Sequence, residues 1–334
     1  MRLFIRTEAS PQIGMGHFMR CFAIAEAARA QNIEVTFLLN DMAEAVIRRL
    51  AQIGAKGIKI GGGLGSAADF MVMGELNLTR DDWLLIDSYA ATEAYIALQK
   101  NAARVAVIDD LNALESFECD LLINPAQAAR PVDYERKTRA KLLLGPDYAL
   151  IRQEFRQASP LKKAFSVTKA TAVTIMFGGS DPMQLTGQCA EAVHAVLPDV
   201  EIRLIAGPAN IHTSKLAQLE QEAECIRLFI SPASVADVLA GSALVITAAG
   251  GSMGEVAAMG LPALVLVAYD NQAAVLKVCP FPVIDVRAGL PDNLGASVKA
   301  LLDDPASLVD IARQAHAVVD GLGSQRIMEA MLNV

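Results

Sequence analysis

The stretch IGMGHFMRC, residues 13–21, holds one of only four histidines in the 334-residue chain. His17 stands just after Gly14 and Gly16, where a run with helical periodicity begins. Glycines there let backbone approach a ligand closely and adopt unusual dihedrals. The positive end of a helix dipole favours a neutral imidazole. A neutral imidazole can take a proton near neutral pH, which suits general-base work. A histidine that only bonds backbone at a helix start would show the same spacing. Arg20, one turn on, can orient a carboxylate or phosphate, or lie solvated on the surface.

The second half carries two glycine-rich segments. In TIMFGGSDPMQLT a strand ends at Gly178 and Gly179; Ser180 or Asp181 can cap the next helix, with Pro182 in its first turn. In LVITAAGGSMGEVAAMGLP a strand leads through Gly250 and Gly251 to a helix opening at Ser252, whose free N–H groups suit a phosphate. Ser252-x-x-Glu255 is equally a capping box. Glu255 either bonds the Ser252 N–H or accepts hydrogen bonds from the two hydroxyls of a ribose. A third segment, IKIGGGLGSAADF, carries Gly61-x-Gly63-x-x-Ser66, close to a dinucleotide fingerprint. It follows the third strand, and no acidic residue ends a next strand about 20 residues on, so it reads as a flexible turn.

His194, His212 and His316 read as packing or surface residues, and no pair has metal-ligand spacing, so no metal site is expected. The five cysteines, at 21, 119, 189, 225 and 279, form no CxxC pair, which points to reduced thiols and not to disulfides or zinc. There is no Walker A motif and no nucleophile elbow.

These residues need strands and helices to place them. Short apolar runs at 2–6, 34–39, 57–60, 83–87, 104–109 and 120–124 alternate with helical stretches at 17–31, 42–53 and 91–100. A second series, 171–177, 201–206, 225–230, 243–247, 263–268 and 281–286, alternates with helices at 182–197, 212–223, 252–259 and 291–303, before a helical tail. Such alternation predicts βαβ units and parallel sheets. The expected fold class is α/β, with two doubly wound Rossmann-like domains facing across a cleft where ligands bind. The expected domains are 1–155, carrying His17, and 168–318, with 319–334 a terminal helix that packs back on the first; the Ser/Pro/Lys-rich texture of 155–168 marks the boundary.

With 53% hydrophobic and 20% charged residues the chain can fill two cores, which excludes disorder. Its net charge of −8, with no basic stripe, argues against nucleic acid as a partner. No apolar run reaches membrane-span length. The opening strand RLFIRT lacks the regions of a signal peptide, so a cytoplasmic location is expected. A monomer or weak homodimer is expected.

The segments GMGHFMRC, IDSYAA, DLLINP, GPDYALIRQEF, MFGGSDP, TAAGGSMGEVAAMGLPAL, DNQ and GLGSQRIMEAM follow one another in the order and spacing of one family. Over nearly its whole length the chain resembles the UDP-2,4-diacetamido-2,4,6-trideoxy-β-L-altropyranose hydrolases of pseudaminic acid biosynthesis. That family is similar in turn to UDP-sugar glycosyltransferases of GT-B fold, including the one that forms lipid II. The resemblance implies a GT-B-like fold and an inverting, metal-independent hydrolase without a cofactor. In that reaction water attacks sugar C1 and UDP departs. It further implies that His17 activates the water; that Gly178, Gly179, Ser180, Gly250, Gly251 and Ser252 line the UDP phosphates; and that Glu255 holds the ribose. FISPAS, with Ile230 and Ser234, would border the uracil. Gly16, Arg20, Asp87, Tyr89, Asn124, Tyr148, Arg152, Asn271 and Gln272 would lie near the sugar. Ser88 stands where the family has a bulkier polar residue, and the loop at 61–66 is longer and richer in glycine; both bear on which sugar is bound. Two other readings compete: a glycosyltransferase that passes a UDP-linked amino sugar to an acceptor other than water, and a non-catalytic nucleotide-sugar binding protein.

Overall fold

The computed structural model describes residues 1–9, 15–158 and 171–333. Gly14 and most of the expected connector lie outside the described residues. Two compact units emerge, Met1–Arg152 with Leu322–Val334, and Gln153–Gly321.

The first unit holds seven parallel strands: β1 (Arg2–Thr7), β2 (Glu34–Leu39), β3 (Lys56–Lys59), β4 (Trp83–Asp87), β5 (Arg104–Ile108), β6 (Leu121–Asn124) and β7 (Lys141–Leu144), in the order β3-β2-β1-β4-β5-β6-β7. Helices α1 (Gly16–Ala30), α2 (Glu44–Ile53), α3 (Ala67–Glu75) and α4 (Glu93–Lys100) connect them. Central strands are apolar on both faces because both are covered. Along β1 and β4, Leu3, Ile5, Trp83 and Leu85 pack with Phe18 and Phe22 of α1. The intervening Phe4, Leu84 and Ile86 pack with Tyr95 and Ile96 of α4.

The second unit opens with α5 (Gln153–Gln157), which places the division a few residues before the expected position. Its strands are β8 (Ala172–Met176), β9 (Glu201–Ala206), β10 (Ile226–Ile230), β11 (Ser242–Ala248), β12 (Ala263–Val267) and β13 (Val283–Asp285), ordered β10-β9-β8-β11-β12-β13. Between and after them run α6 (Leu185–Val196), α7 (Thr213–Glu222), α8 (Val235–Leu239), α9 (Gly251–Met259), α10 (Leu294–Leu302) and α11 (Pro305–Val318). In each sheet the order reverses beside its first strand, between β1 and β4 and between β8 and β11. Loops leaving the carboxyl ends of strands diverge there and leave room for a ligand.

The last helix, α12 (Gly323–Leu332), belongs to the first unit. Its Ile327, Met328 and Met331 enter the core beside α1. The Trp83 indole donates to the Met331 carbonyl at 3.1 Å, and Arg326 donates to the Asp147 carbonyl at 2.9 Å. A Cβ on Gly323 would lie 2.3 Å from the Ala149 carbonyl oxygen, so only glycine permits this docking.

Two elements depart from the sequence reading. KLLL forms the edge strand β7, which the following Gly145-Pro146 turn disguised as connector. The turn at 61–66 leads into α3, a helix the sequence reading did not mark. Ser66 caps that helix by accepting from the Asp69 N–H at 3.2 Å. Asp69, wholly buried, accepts from the Gly65 N–H at 3.0 Å and pairs with buried Arg6 at 2.7 Å. Its carboxylate therefore occupies the helix end that a dinucleotide phosphate would need.

Candidate active site

In the first unit the switch point gathers side chains from three strand ends. His17 is the second residue of α1 and only 7% exposed. Its Nδ1 lies 2.8 Å from Oδ1 of Asp87, the last residue of β4. Arg20, one turn further along α1, grips both oxygens of that carboxylate, Nε to Oδ2 at 2.7 Å and Nη2 to Oδ1 at 2.5 Å. Its Nη1 donates to Asp110, just past β5, at 2.7 Å. The Cys21 thiol donates to Asp87 Oδ2 at 3.3 Å. Tyr89 sets its ring edge-on to His17, with centroids 4.5 Å apart, and donates its hydroxyl to Asp110 at 3.2 Å.

Electrostatics fixes the protonation pattern. Burial opposes the charge on Asp87, but the hydrogen bonds and positive charge of Arg20, helped by His17, outweigh it and hold its carboxyl below the ordinary value. Burial likewise opposes the charge on Arg20, yet Asp87 and Asp110 keep its guanidinium protonated. The Cys21 thiol is pushed well up by burial and by Asp87, so it stays a donor. An ionised carboxylate only accepts, so Nδ1 of a neutral His17 carries its proton and Nε2 keeps the lone pair. Arg20 Nη2, 3.2 Å from His17 Nδ1, makes its shorter contact with Asp87.

This arrangement alters the reading of two residues expected near a sugar. A carboxylate offers about four acceptor positions. Those of Asp87 are met by His17, Arg20 twice, and Cys21, and the residue is wholly buried. Asp87 and Arg20 thus both lie against the Nδ1 side of His17. Gly16 opens α1, with open space where a Cβ would be.

Asn124 is also engaged within the protein: its amide donates to the Tyr134 hydroxyl at 2.8 Å and its carbonyl accepts from the Ala126 N–H at 3.0 Å. Tyr134 donates in turn to Asp109 at 2.8 Å, which anchors the loop carrying Asp110. Tyr148 packs against the core beside α12, and Arg152 is buried at the end of the unit. Sequence reasoning passed over Asp110 and over Glu8, whose buried carboxylate accepts the Ser88 hydroxyl at 3.0 Å. Their signal was positional: acidic residues immediately beyond the apolar runs of β1 and β5.

In the second unit, Gly178, Gly179 and Ser180 follow β8, while Gly250, Gly251 and Ser252 follow its neighbour β11. Open space surrounds the would-be Cβ positions of all four glycines. Gly178 has a φ of +71°, which favours glycine. Gly207, past β9, is a residue the sequence reading missed. A Cβ there would stand 2.5 Å from the Gly179 Cα and 2.6 Å from the Gly178 carbonyl oxygen. The Ala209 N–H donates to the Gly179 carbonyl at 3.0 Å.

The two helix starts differ. Asp181, not Ser180, caps α6, accepting from the N–H groups of Leu185 and Thr186 at 2.9 Å. Pro182 precedes that helix and lies outside its first turn. Because α9 begins at Gly251 with Gly250 at its N-cap, Ser252 falls inside the first turn, and the N-cap position supplies no side-chain hydrogen bond. The α6 end thus already holds an anion, whereas the α9 end presents backbone donors.

Ile230 ends β10 half-exposed, and the Ser234 hydroxyl caps α8, accepting from the Asp237 N–H at 3.1 Å. Past β12, Gln272 accepts through its side-chain oxygen from the N–H groups of Ala268 at 2.9 Å and Tyr269 at 3.3 Å, beside Asn271. Among the described residues no His, Cys, Asp and Glu side chains cluster as a metal site would need, and no helix is long and apolar enough to cross a membrane.

No protein-family model matches the chain. An uncharacterized protein, MJ1062, of Methanocaldococcus jannaschii is 24% identical over 280 residues, 81% of this chain and 56% of its own length, so the chain spans little more than half of that relative. The UDP-2,4-diacetamido-2,4,6-trideoxy-β-L-altropyranose hydrolase of Campylobacter jejuni is 26% identical over 258 residues, 76% of this chain and 87% of that protein. The spore coat polysaccharide biosynthesis protein SpsG of Bacillus subtilis is 23% identical over 283 residues, 83% of this chain and 80% of that one. Among solved structures, MurG of Acinetobacter baumannii superposes with a TM-score of 0.64 at 16% identity, covering 100% of both chains. The pneumococcal O-GlcNAc transferase GtfA, in complex with UDP and GlcNAc, gives 0.66 at 12% identity, covering 100% of this chain and 99% of that one. At such identities the likeness is one of fold, and that fold is GT-B-like.

Proposed function

We propose that this protein hydrolyses a UDP-linked 2,4-diacetamido-2,4,6-trideoxy sugar, releasing UDP and the free sugar with inversion at C1. The observation that carries the reading is the His17–Asp87 pair, which leaves Nε2 of His17 as a basic nitrogen at the first unit's switch point. Water gives a proton to Nε2 and its oxygen bonds to C1. The C1–O bond to the diphosphate breaks, and its electron pair leaves with UDP. A positioned base of this kind contributes about 10²–10⁴-fold.

In the second unit the uncapped start of α9, with Gly250, Gly251 and Ser252, suits the departing diphosphate. The backbone of Gly178 and Gly179 can approach the same group. Glu255, in the second turn of α9, would accept the ribose hydroxyls, and the segment with Ile230 and Ser234 would border the base. Tyr89, Asn271 and Gln272 remain candidates for the sugar. The Campylobacter jejuni relative's name supports the substrate, and the GtfA complex supports UDP on this fold.

The second reading is transfer to an acceptor other than water, which the fold shared with GtfA and MurG favours. A proton NMR time course with UDP-2,4-diacetamido-2,4,6-trideoxy-β-L-altrose, in EDTA and without acceptor, separates the two. Prompt release of UDP and the inverted sugar is expected from the hydrolase. His17→Ala should then lower kcat about 10²-fold or more while UDP still binds. A substrate that binds UDP-dependently but stays intact would favour the transferase.

A further inference from the structure

We infer that Arg20 and Asp110 are positioning residues that hold Asp87 beneath His17, so that Nδ1 bears the proton and Nε2 is the basic nitrogen. This deepens the reading of His17 as the base and rests on it for its catalytic consequence, though not for its geometry.

The argument begins with Asp87. It is wholly buried at the end of β4, and a lone carboxylate there would be driven to its neutral form. A protonated Asp87 could donate to Nδ1, which would move the imidazole proton to Nε2 and remove the base. Arg20 prevents this by meeting both carboxylate oxygens through Nε and Nη2. Such a two-point grip fixes direction as well as charge, which a lysine ammonium cannot do.

Arg20 must itself be held. Its remaining terminal nitrogen, Nη1, reaches Asp110 at 2.7 Å, and Asp110 takes the Tyr89 hydroxyl on the same oxygen. The loop bearing Asp110 is pinned in turn by Tyr134 on Asp109. The chain Asp110–Arg20–Asp87–His17 thus runs from the end of β5 to the start of α1. Two carboxylates thus face one guanidinium beside His17. Among the described residues, the other groups facing this chain are the Cys21 thiol, which donates to Asp87, and Tyr89; the Glu8–Ser88 pair sits at the adjoining ends of β1 and β4. Each of the three guanidinium nitrogens of Arg20 thus has a carboxylate oxygen within 2.7 Å.

The test is ¹⁵N NMR of the histidine rings in the full-length protein. With four histidines, the His17 signals follow by difference from a His17→Gln sample. In the wild type at neutral pH, Nδ1 should resonate as a protonated nitrogen and Nε2 as an unprotonated one. Arg20→Met and Asp110→Asn should populate the opposite tautomer and lower kcat for the UDP-sugar about tenfold or more, with KM changed less than threefold. Arg20→Lys should recover the charge but only part of the tautomer bias. If Arg20→Met does not fold, Asp110→Asn and Arg20→Lys decide by the same two readouts. A wild-type His17 protonated on Nε2 would overturn the inference. So would variants that raise KM at constant kcat, because Arg20 would then be a substrate ligand. If no variant, nor the wild type, turns over the UDP-sugar, the proposed reaction fails while the tautomer still tests the clamp.

Discussion

At the scale of the residue, chemistry here depends on what is already spent. Asp87 accepts four donors from within the protein, and Asn124 has both ends of its amide engaged. Glu255 stands in the second turn of α9, one turn from the glycine-rich start of that helix. If it accepts the ribose hydroxyls, Glu255→Ala should weaken UDP binding about tenfold or more in a calorimetric titration, the worth of a lost hydrogen bond to a charged group. Unchanged affinity would remove it from the nucleotide site. Asp82 makes the same point for stability. Hydrogen bonds from Arg2 chiefly, then from the Thr79 backbone and hydroxyl, hold its carboxyl well below the ordinary range despite burial. A depressed folded value stabilises above the unfolded one. Asp82→Asn should therefore cost about 1–2 kcal/mol above pH ~5 in urea unfolding, discounted because Arg2 is partly exposed. The gap to wild type should narrow as pH falls below about 4.

At the scale of the element, two helix starts with similar glycine-rich leads have different fates. Asp181 fills the α6 end, whereas the N-cap of α9, Gly250, bonds that helix through no side chain. The loop between β8 and α6 is shaped from outside its own sequence, by Gly207 after β9. Gly207→Ala brings a methyl group against backbone at 2.5–2.6 Å, so the Gly178–Gly179 segment must shift. The expected outcome is a lower melting temperature together with UDP affinity reduced about tenfold, since overpacking typically costs 1–3 kcal/mol or about that much in binding when the moved atoms are ligands. Calorimetry on the folded variant checks the second part; a loss of stability with intact affinity would separate this loop from the ligand.

At the scale of the whole molecule, the chain leaves the first unit at Arg152 and returns to it at Leu322. The returning helix buries Ile327, Met328 and Met331, each worth about 2 kcal/mol. It also receives the hydrogen bond of Trp83, the single tryptophan of the chain. Gly323→Val, which drives a side chain into the Ala149 and Tyr148 backbone, should loosen α12. Red-shifted Trp83 emission and faster hydrogen exchange in β4 and α1 are the expected signs. An unshifted emission with the variant folded would mean that the helix does not depend on this contact.

The alternation of apolar runs and helical periodicity sufficed for the two α/β halves and for nearly every central strand, because burial on both faces writes itself locally into Leu3–Ile5, Trp83–Ile86 and Ala263–Val267. It missed β7, a short edge strand before a Gly-Pro turn, and α3, where a glycine-rich approach hid the Ser66 cap. His17 stood out in the sequence through its glycine-bounded setting. Its partners did not, since Asp87 and Asp110 lie 70 residues from His17 and 90 from Arg20 along the chain. Spacing along a strand or helix is fixed by backbone geometry and can be read directly. Which strand ends meet at a switch point depends on sheet order, and only the tertiary structure brought Asp87 and Asp110 to His17 and Arg20.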